Sequence, residues 1–259
     1  MRMIVHFLFG ILGNGIALFL FLVPAITFQR IIKTKSTEKF SCVPYIISLL
    51  TCLISAWYGL PFVSPNNLLL STVDFTGAAI ESVYVVIFIV FAPKKVRVKT
   101  LIHLAAVVIV FFGFALVSQF VIPQHYRQLF CGLTATILSI CMYASPLAVM
   151  RLVMETKSVE FMPFFLSLAT FLCGTFWFVF GLLGHDPFIS VPNGVGCGLG
   201  ALQLILYAIY RNNREVEDGT KATTTAPTPF DDDTMEKGFG KEEKTSPILN
   251  VPAAAHIIN

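Results

Sequence analysis

The stretch around Pro24 recurs about 120 residues later around Pro146, and this duplication constrains the fold more than any other feature of the chain. Pro24 is followed by Lys35-Ser36-Thr37-Glu38, then Phe40 and Pro44; Pro146 is followed by Lys157-Ser158-Val159-Glu160, then Phe161 and Pro163. Further on, Ser71, Asp74 and Gly77 are answered at the same spacing by Ser190, Asn193 and Gly196, and Tyr58-Gly59 by Phe180-Gly181. A duplicated unit with a proline inside each copy of an apolar helix implies a membrane transporter with two hinged halves.

Composition places those helices in a bilayer. The apolar fraction is 56%, charged residues are 13%, and the mean hydropathy is +0.77. Such values lie far from those of a soluble domain. A span needs roughly 20 apolar residues. The chain offers seven, at 6–29, 44–63, 70–92, 100–122, 129–152, 163–184 and 190–210. Arg2 ahead of the first run and Val23-Pro24-Ala25 at its end resemble a signal peptide, but the run is long for one and pairs by repeat with 129–152. It is read as a true first helix.

Orientation follows from the basic residues near the helix ends. Arg30, Lys33, Lys35, Lys39, Lys94, Lys95, Arg97, Lys99, Arg151, Lys157, Arg211 and Arg214 fall on one side, against Arg2 and Arg127 on the other. The N-terminus is therefore expected outside and the C-terminus in the cytosol. The net charge of +3 gives no reason to expect nucleic acid.

Three helices per repeat would invert the second copy if the copies were joined directly. The unpaired fourth helix restores parity and makes the halves parallel. The fold class expected is an all-α integral membrane protein with a 3+1+3 helix count. Residues 1–93 form the first three-helix repeat, 94–127 the linker helix and its loops, and 128–211 the second repeat. Residues 212–259, rich in Thr and Pro with an Asp231-Asp232-Asp233 run, read as a disordered cytosolic tail, either regulatory or a solvated spacer.

Pro24, Pro44, Pro146 and Pro163 lie at matched positions toward the cytosolic ends of helices 1, 2, 5 and 6. Proline removes an intrahelical hydrogen bond and lets a helix bend. Taken singly, Pro44 and Pro163 also suit a first helical turn. As two matched pairs they read as a hinge ring. Asp74 and Asn193 fall at one place in helices 3 and 7, where a polar group needs a partner or a wet cavity. A helix–helix hydrogen bond would account for either, at about 0.6 kcal/mol. Their symmetry favours a site facing the central axis. Trp177, set opposite Ser55 by the repeat, could stack on a sugar's C–H face while amides bind its hydroxyls; a lone Trp is otherwise core or interface belt.

Other features read as structural. Gly194, Gly196, Gly198 and Gly200 follow no strand and suit close helix packing, not a phosphate loop. Glu81, two turns from Asp74, is read as a buried structural acid with no transport role. The six cysteines (Cys42, Cys52, Cys131, Cys141, Cys173 and Cys197) show no metal spacing and read as small buried residues. No cofactor or metal is expected, and no catalytic constellation appears.

These motifs together resemble the SWEET (nodulin/saliva-type) sugar transporters of plants. The resemblance covers about residues 6–211 and rests on Gly10-Ile-Leu-Gly13-Asn14, Lys35-Ser-Thr-Glu38, Ser55-Ala-Trp-Tyr58-Gly59, Tyr143-Ala-Ser-Pro146, Thr156-Lys-Ser-Val-Glu-Phe-Met-Pro163, Pro192-Asn193 and Gln203-Leu-Ile-Leu-Tyr207. That family is itself a known case of parallel repeats, so the 3+1+3 architecture is a match to it and not an independent derivation. The resemblance implies facilitative, bidirectional sugar uniport by alternating access. It implies a sugar site of Ser55, Asp74, Trp177 and Asn193, a cytosolic hinge and gate of the four prolines, and an extracellular gate of Tyr58 and Asp186. Leu20 and Met142, one turn before the hinge prolines, set pocket size with Thr51 and Cys173. Bulkier residues there go with monosaccharides and smaller ones with sucrose, so a hexose such as glucose is expected. The partners implied are a monosaccharide, the lipid bilayer and further copies of the chain. The plasma membrane is the expected location, ahead of the vacuolar membrane.

Three departures from the family pattern stand out. Asp74-Phe75 replaces an Asn and a small residue, Phe180 replaces a Tyr, and Pro65 stands where a cation often meets the gate carboxylate. A protonated Asp74 can imitate the amide, whereas an ionised one only accepts, so pH-sensitive sugar binding is expected. Rival readings are a carrier of sucrose or another solute, a seven-helix receptor, and an amino-acid carrier or cargo receptor of a related repeat group. The duplication and short loops disfavour a receptor. The related group would carry Pro-Gln pairs, and here the prolines precede Ala25, Tyr45, Leu147 and Phe164.

Overall fold

The computed structural model describes the backbone of residues 2–223 and the side chains of residues 2–211. Every regular element among them is helical, as expected where no water is present to satisfy an open backbone. The helices are α1 (Arg2–Leu22), α2 (Ala25–Thr34), α3 (Val43–Tyr58), α4 (Leu68–Phe91), α5 (Lys94–Leu116), α6 (Gln124–Met142), α7 (Ala144–Thr156), α8 (Phe164–Leu183) and α9 (Pro187–Thr223). A π-turn, Val117–Val121, extends α5. Of the anticipated tail, 212–259, the side chains lie outside the described residues, as does the backbone from 224 onward.

α1 with α2, and α6 with α7, each make one bent span, giving seven among the described residues. Six are long and apolar enough to cross a membrane, and α3 is a shorter apolar helix. The protein is thus a multi-pass membrane protein. The first bend falls at Pro24, and the second at Tyr143, just ahead of Pro146. Pro44 lies in the first turn of α3 and Pro163 immediately precedes α8. These two stand at helix starts, where a missing N–H costs nothing, and not at bends inside a helix. α3 stops at Tyr58 instead of reaching residue 63, because Gly59 caps it and Pro61 cannot continue the ladder.

In the first repeat α4 packs on both α1 and α3; in the second, α9 packs on both α6 and α8. The repeats meet through α1 against α8 and α3 against α6, and α5 lies on α3 and α4 of the first repeat. The same local devices recur in each copy. Lys35 and Lys157 both adopt a left-handed conformation, at φ 50° and 56°, and end α2 and α7. Ser36 and Ser158 then accept the N–H of Glu38 and Glu160. A Cβ at Gly59 would come within 2.8 Å of the Ser71 nitrogen, and one at Gly181 within 2.6 Å of the Ser190 nitrogen. Only glycine allows the backbones to approach so closely.

A further matched pair ties the first helix of each repeat to the last. Asn14 Nδ2 donates to the Leu69 carbonyl at 3.1 Å, and Thr136 Oγ1 to the Phe188 carbonyl at 3.1 Å. The second bond is needed because Pro192 inside α9 has no N–H for the carbonyl four residues back.

Packing follows lipid rules. Ile109 and Phe165 are 72% and 77% exposed, and lipid takes the place of water around them. One buried cluster joins the halves through Tyr58, Val73, Cys131, Trp177 and Phe180. Another fills the proline end of the first repeat, where Phe28 stacks on Tyr84 with ring centroids 4.4 Å apart. In the second repeat the corresponding core is aliphatic: Val149, Met150, Val153, Val159 and Met162.

Candidate functional site

Between the repeats lies a cavity of about 430 Å³. Ser55, Thr51, Cys52 and Ser48 face it from α3, Asp74 and Glu81 from α4, Cys173 and Trp177 from α8, and Pro192 and Asn193 from α9. Leu20 on α1 and Met142 on α6 complete opposite walls, with Ser139 and Tyr143 beside Met142. All four residues expected to bind the substrate, and all four expected to set pocket size, therefore line one cavity. Ser48, Ser139, Tyr143 and Glu81 belong to it as well. Sequence reasoning missed them because the hydroxyls carry no spacing signal and Glu81 looked merely structural.

The polar groups are individually placed. Asn193 Nδ2 donates to the Ile189 carbonyl at 2.8 Å, which fixes the amide and leaves Oδ1 as its acceptor. The Asp74 carboxyl faces the Cys52 thiol. Ser48 Oγ donates to Glu81 Oε1 at 2.7 Å, while Glu81 Oε2 is buried with no hydrogen-bond partner. Tyr143 Oη donates to the Pro192 carbonyl at 2.6 Å, made possible by Gly196, where a Cβ would lie 2.5 Å from that oxygen. The Trp177 indole is held edge-on to Phe180, with centroids 5.1 Å apart, and lies over Gly13, whose absent side chain makes room. What remains is an aromatic wall facing amide, carboxyl and hydroxyl groups, an arrangement able to stack a pyranose ring and bind its hydroxyls.

Tyr58 and Asp186 are not among the cavity's lining residues; they form a buried cluster beyond it, with Tyr58 one turn along α3 from Ser55. Asp186, 4% exposed, accepts from Tyr58 Oη at 2.5 Å and from Asn67 Nδ2 at 2.7 Å, and its other oxygen takes the Phe188 N–H at 2.9 Å. Ser64 Oγ adds a longer contact of 3.4 Å. Tyr58, Ser64 and Asn67 belong to the first repeat and Asp186 to the second, so the bonds span the two halves. With Pro65 in place of a cation, neutral donors and the α9 N-terminus satisfy the carboxylate. Asn67 and Ser64 were not anticipated; they sit in a loop whose sequence resembles an ordinary turn. The four prolines gather at the opposite end and are not among the cavity's lining residues. Among the described residues, no group of three His, Cys, Asp or Glu could hold a metal ion.

A family model described as a sugar efflux transporter for intercellular exchange matches the chain twice, over residues 7–96 and 129–215. The chain is 63% identical over 211 residues to the bidirectional sugar transporter SWEET1 of Arabidopsis thaliana, covering 82% of this chain and 85% of that protein. It is 59% identical over 237 residues to SWEET1a of Oryza sativa subsp. japonica, covering 86% and 87%. A solved eukaryotic SWEET transporter superposes with a TM-score of 0.80 at 48% identity, over 82% of this chain and 99% of that one. The duplicated helices, the cavity between them and these matches agree, and the chain belongs to the SWEET family of plant sugar transporters.

Proposed function

We propose that the chain is a facilitative, bidirectional carrier of monosaccharides, glucose foremost, working by alternating access without an ion gradient. The observation that carries this reading is the cavity of about 430 Å³ between the repeats, lined by Ser55, Asp74, Trp177 and Asn193. Its volume lies toward the small end of ligand pockets, about 300–1,000 Å³, which suits one sugar ring better than two. Leu20 and Met142 narrow it from opposite walls. The Asp186 cluster acts as the extracellular gate, and the bends at Pro24 and just ahead of Pro146, with the entry turns at Pro44 and Pro163, as the cytosolic hinge. Basic residues collect at the proline end, which supports a cytosolic position for it and an N-terminus outside. The plasma membrane is the site of action, and several copies assemble although each holds a complete path.

The reading is tested by radiolabelled glucose and sucrose uptake into proteoliposomes, with Asn193→Ala beside the unaltered chain. Glucose equilibration that the variant loses supports it. Sucrose in preference to glucose overturns the size argument, and no loss in Asn193→Ala overturns the site.

A further inference from the structure

The cavity carries ionisable side chains on one wall only. Asp74 and Glu81 both face it from α4, and no Lys, Arg or His is among its lining residues. The repeat makes the asymmetry plain: the counterpart of Asp74 on α9 is the neutral Asn193, and that of Glu81 is Gly200. Glu81 is 5% exposed, and its Oε2 has no hydrogen-bond partner. Ionisable groups inside a membrane protein mark substrate or ion paths, and once ionised they favour a partner of opposite charge. Here that partner is not supplied by the cavity wall.

Resting on the sugar-carrier reading above, we propose that this cavity takes cationic amino sugars such as glucosamine, whose ammonium pairs with Asp74 and then with Glu81. The two carboxyls stand two turns apart on one helix, about 10 Å of rise. That separation bars one ion from being shared between them and instead makes successive stations along the path. Asp74 lies beside the ring-binding groups Ser55, Trp177 and Asn193. Glu81 lies nearer the proline end, since α4 starts beside the Asp186 cluster and runs away from it. A zwitterionic amino acid is disfavoured, because its carboxylate would meet two acids and no base. A simple polyamine would leave the Trp177 face and the Asn193 amide unused.

The test is uptake of glucosamine and glucose from an equimolar mixture into proteoliposomes of the full chain, at neutral pH and without an ion gradient. The proposal expects the unaltered chain to favour glucosamine by about tenfold or more, the scale of one charge-assisted hydrogen bond. Asp74→Asn, which keeps the side chain's shape, lowers the glucosamine-to-glucose ratio by about the same factor, whatever its absolute rate. Glu81→Gln lowers it less. A ratio near one in the unaltered chain overturns the proposal without recourse to any variant, and so does a ratio that Asp74→Asn leaves in place. Glucose flux without glucosamine preference removes this inference alone; flux of neither sugar removes the carrier reading as well.

Discussion

Tyr58 donates its hydroxyl to Asp186 Oδ2 across 2.5 Å, joining the last residue of α3 in one repeat to the loop before α9 in the other. Asn67, at the start of α4, donates to the same oxygen. One carboxylate therefore ties the end of α3 and the start of α4 in the first repeat to the start of α9 in the second. It does so with neutral donors, where a lysine or arginine would add a charge at position 65.

Replacing Asp186 by Leu leaves the buried Tyr58 hydroxyl and the Asn67 N–H that faced it without an acceptor, at about 1–3 kcal/mol each, while Asn67 keeps Ser64. The closed state of this end should lose at least about tenfold in population. A membrane-impermeant thiol reagent added only on the Asp186 side should then label Cys173, on the cavity wall, about tenfold faster or more. Unchanged labelling would show that the cluster does not hold the end shut.

The glycines divide into two groups with opposite expectations. Gly59→Ala and Gly181→Ala push a Cβ against backbone nitrogens that cannot move aside. Each should destabilise the protein by about 1–3 kcal/mol. Gly15 and Gly198 have nothing within 4 Å of the added carbon. Alanine there should stay within about 0.5 kcal/mol of the parent or stabilise it. Thermal unfolding in detergent distinguishes the groups.

The spans, their number and the duplicated halves were readable because apolar runs and repeat spacing survive in a single sequence. Asp74, Asn193 and Trp177 were readable because polar or bulky groups inside such runs are few, and Ser55 because the repeat sets it opposite Trp177; Leu20, Met142, Thr51 and Cys173 followed only from the family resemblance. Glu81 was read as a buried acid, and it is buried and bonded to the Ser48 hydroxyl; its place on the cavity wall depends on how α4 rotates against α3, which spacing alone does not give. Asn67 was missed because it acts on a residue more than a hundred positions away, and nothing local marks that pairing. The end of α3 was overestimated because an apolar run continues past Gly59 into a turn.

Thr136 satisfies the Phe188 carbonyl that Pro192 leaves open. Thr136→Val keeps the volume and removes the donor, so about 1–2 kcal/mol of stability should be lost. Pro192→Ala in the same background should restore much of it by returning the helical N–H. Additive losses in a double-mutant cycle would contradict that coupling.

Leu20 and Met142 face the cavity from α1 and α6. Leu20→Val with Met142→Val removes side-chain volume from both walls. Sucrose uptake should rise relative to glucose by about tenfold, as expected when a steric bar of about 1–3 kcal/mol is relieved. An unchanged sucrose-to-glucose ratio would show that selection lies elsewhere.

The central claim is that sugar crosses through this cavity down its own gradient. The most direct measurement is the time course of radiolabelled glucose inside proteoliposomes with every ion gradient collapsed. The account predicts entry that levels off at the external concentration, and equally ready exit when the gradient is reversed. Accumulation above the external level, or entry only when an ion gradient is restored, would contradict it.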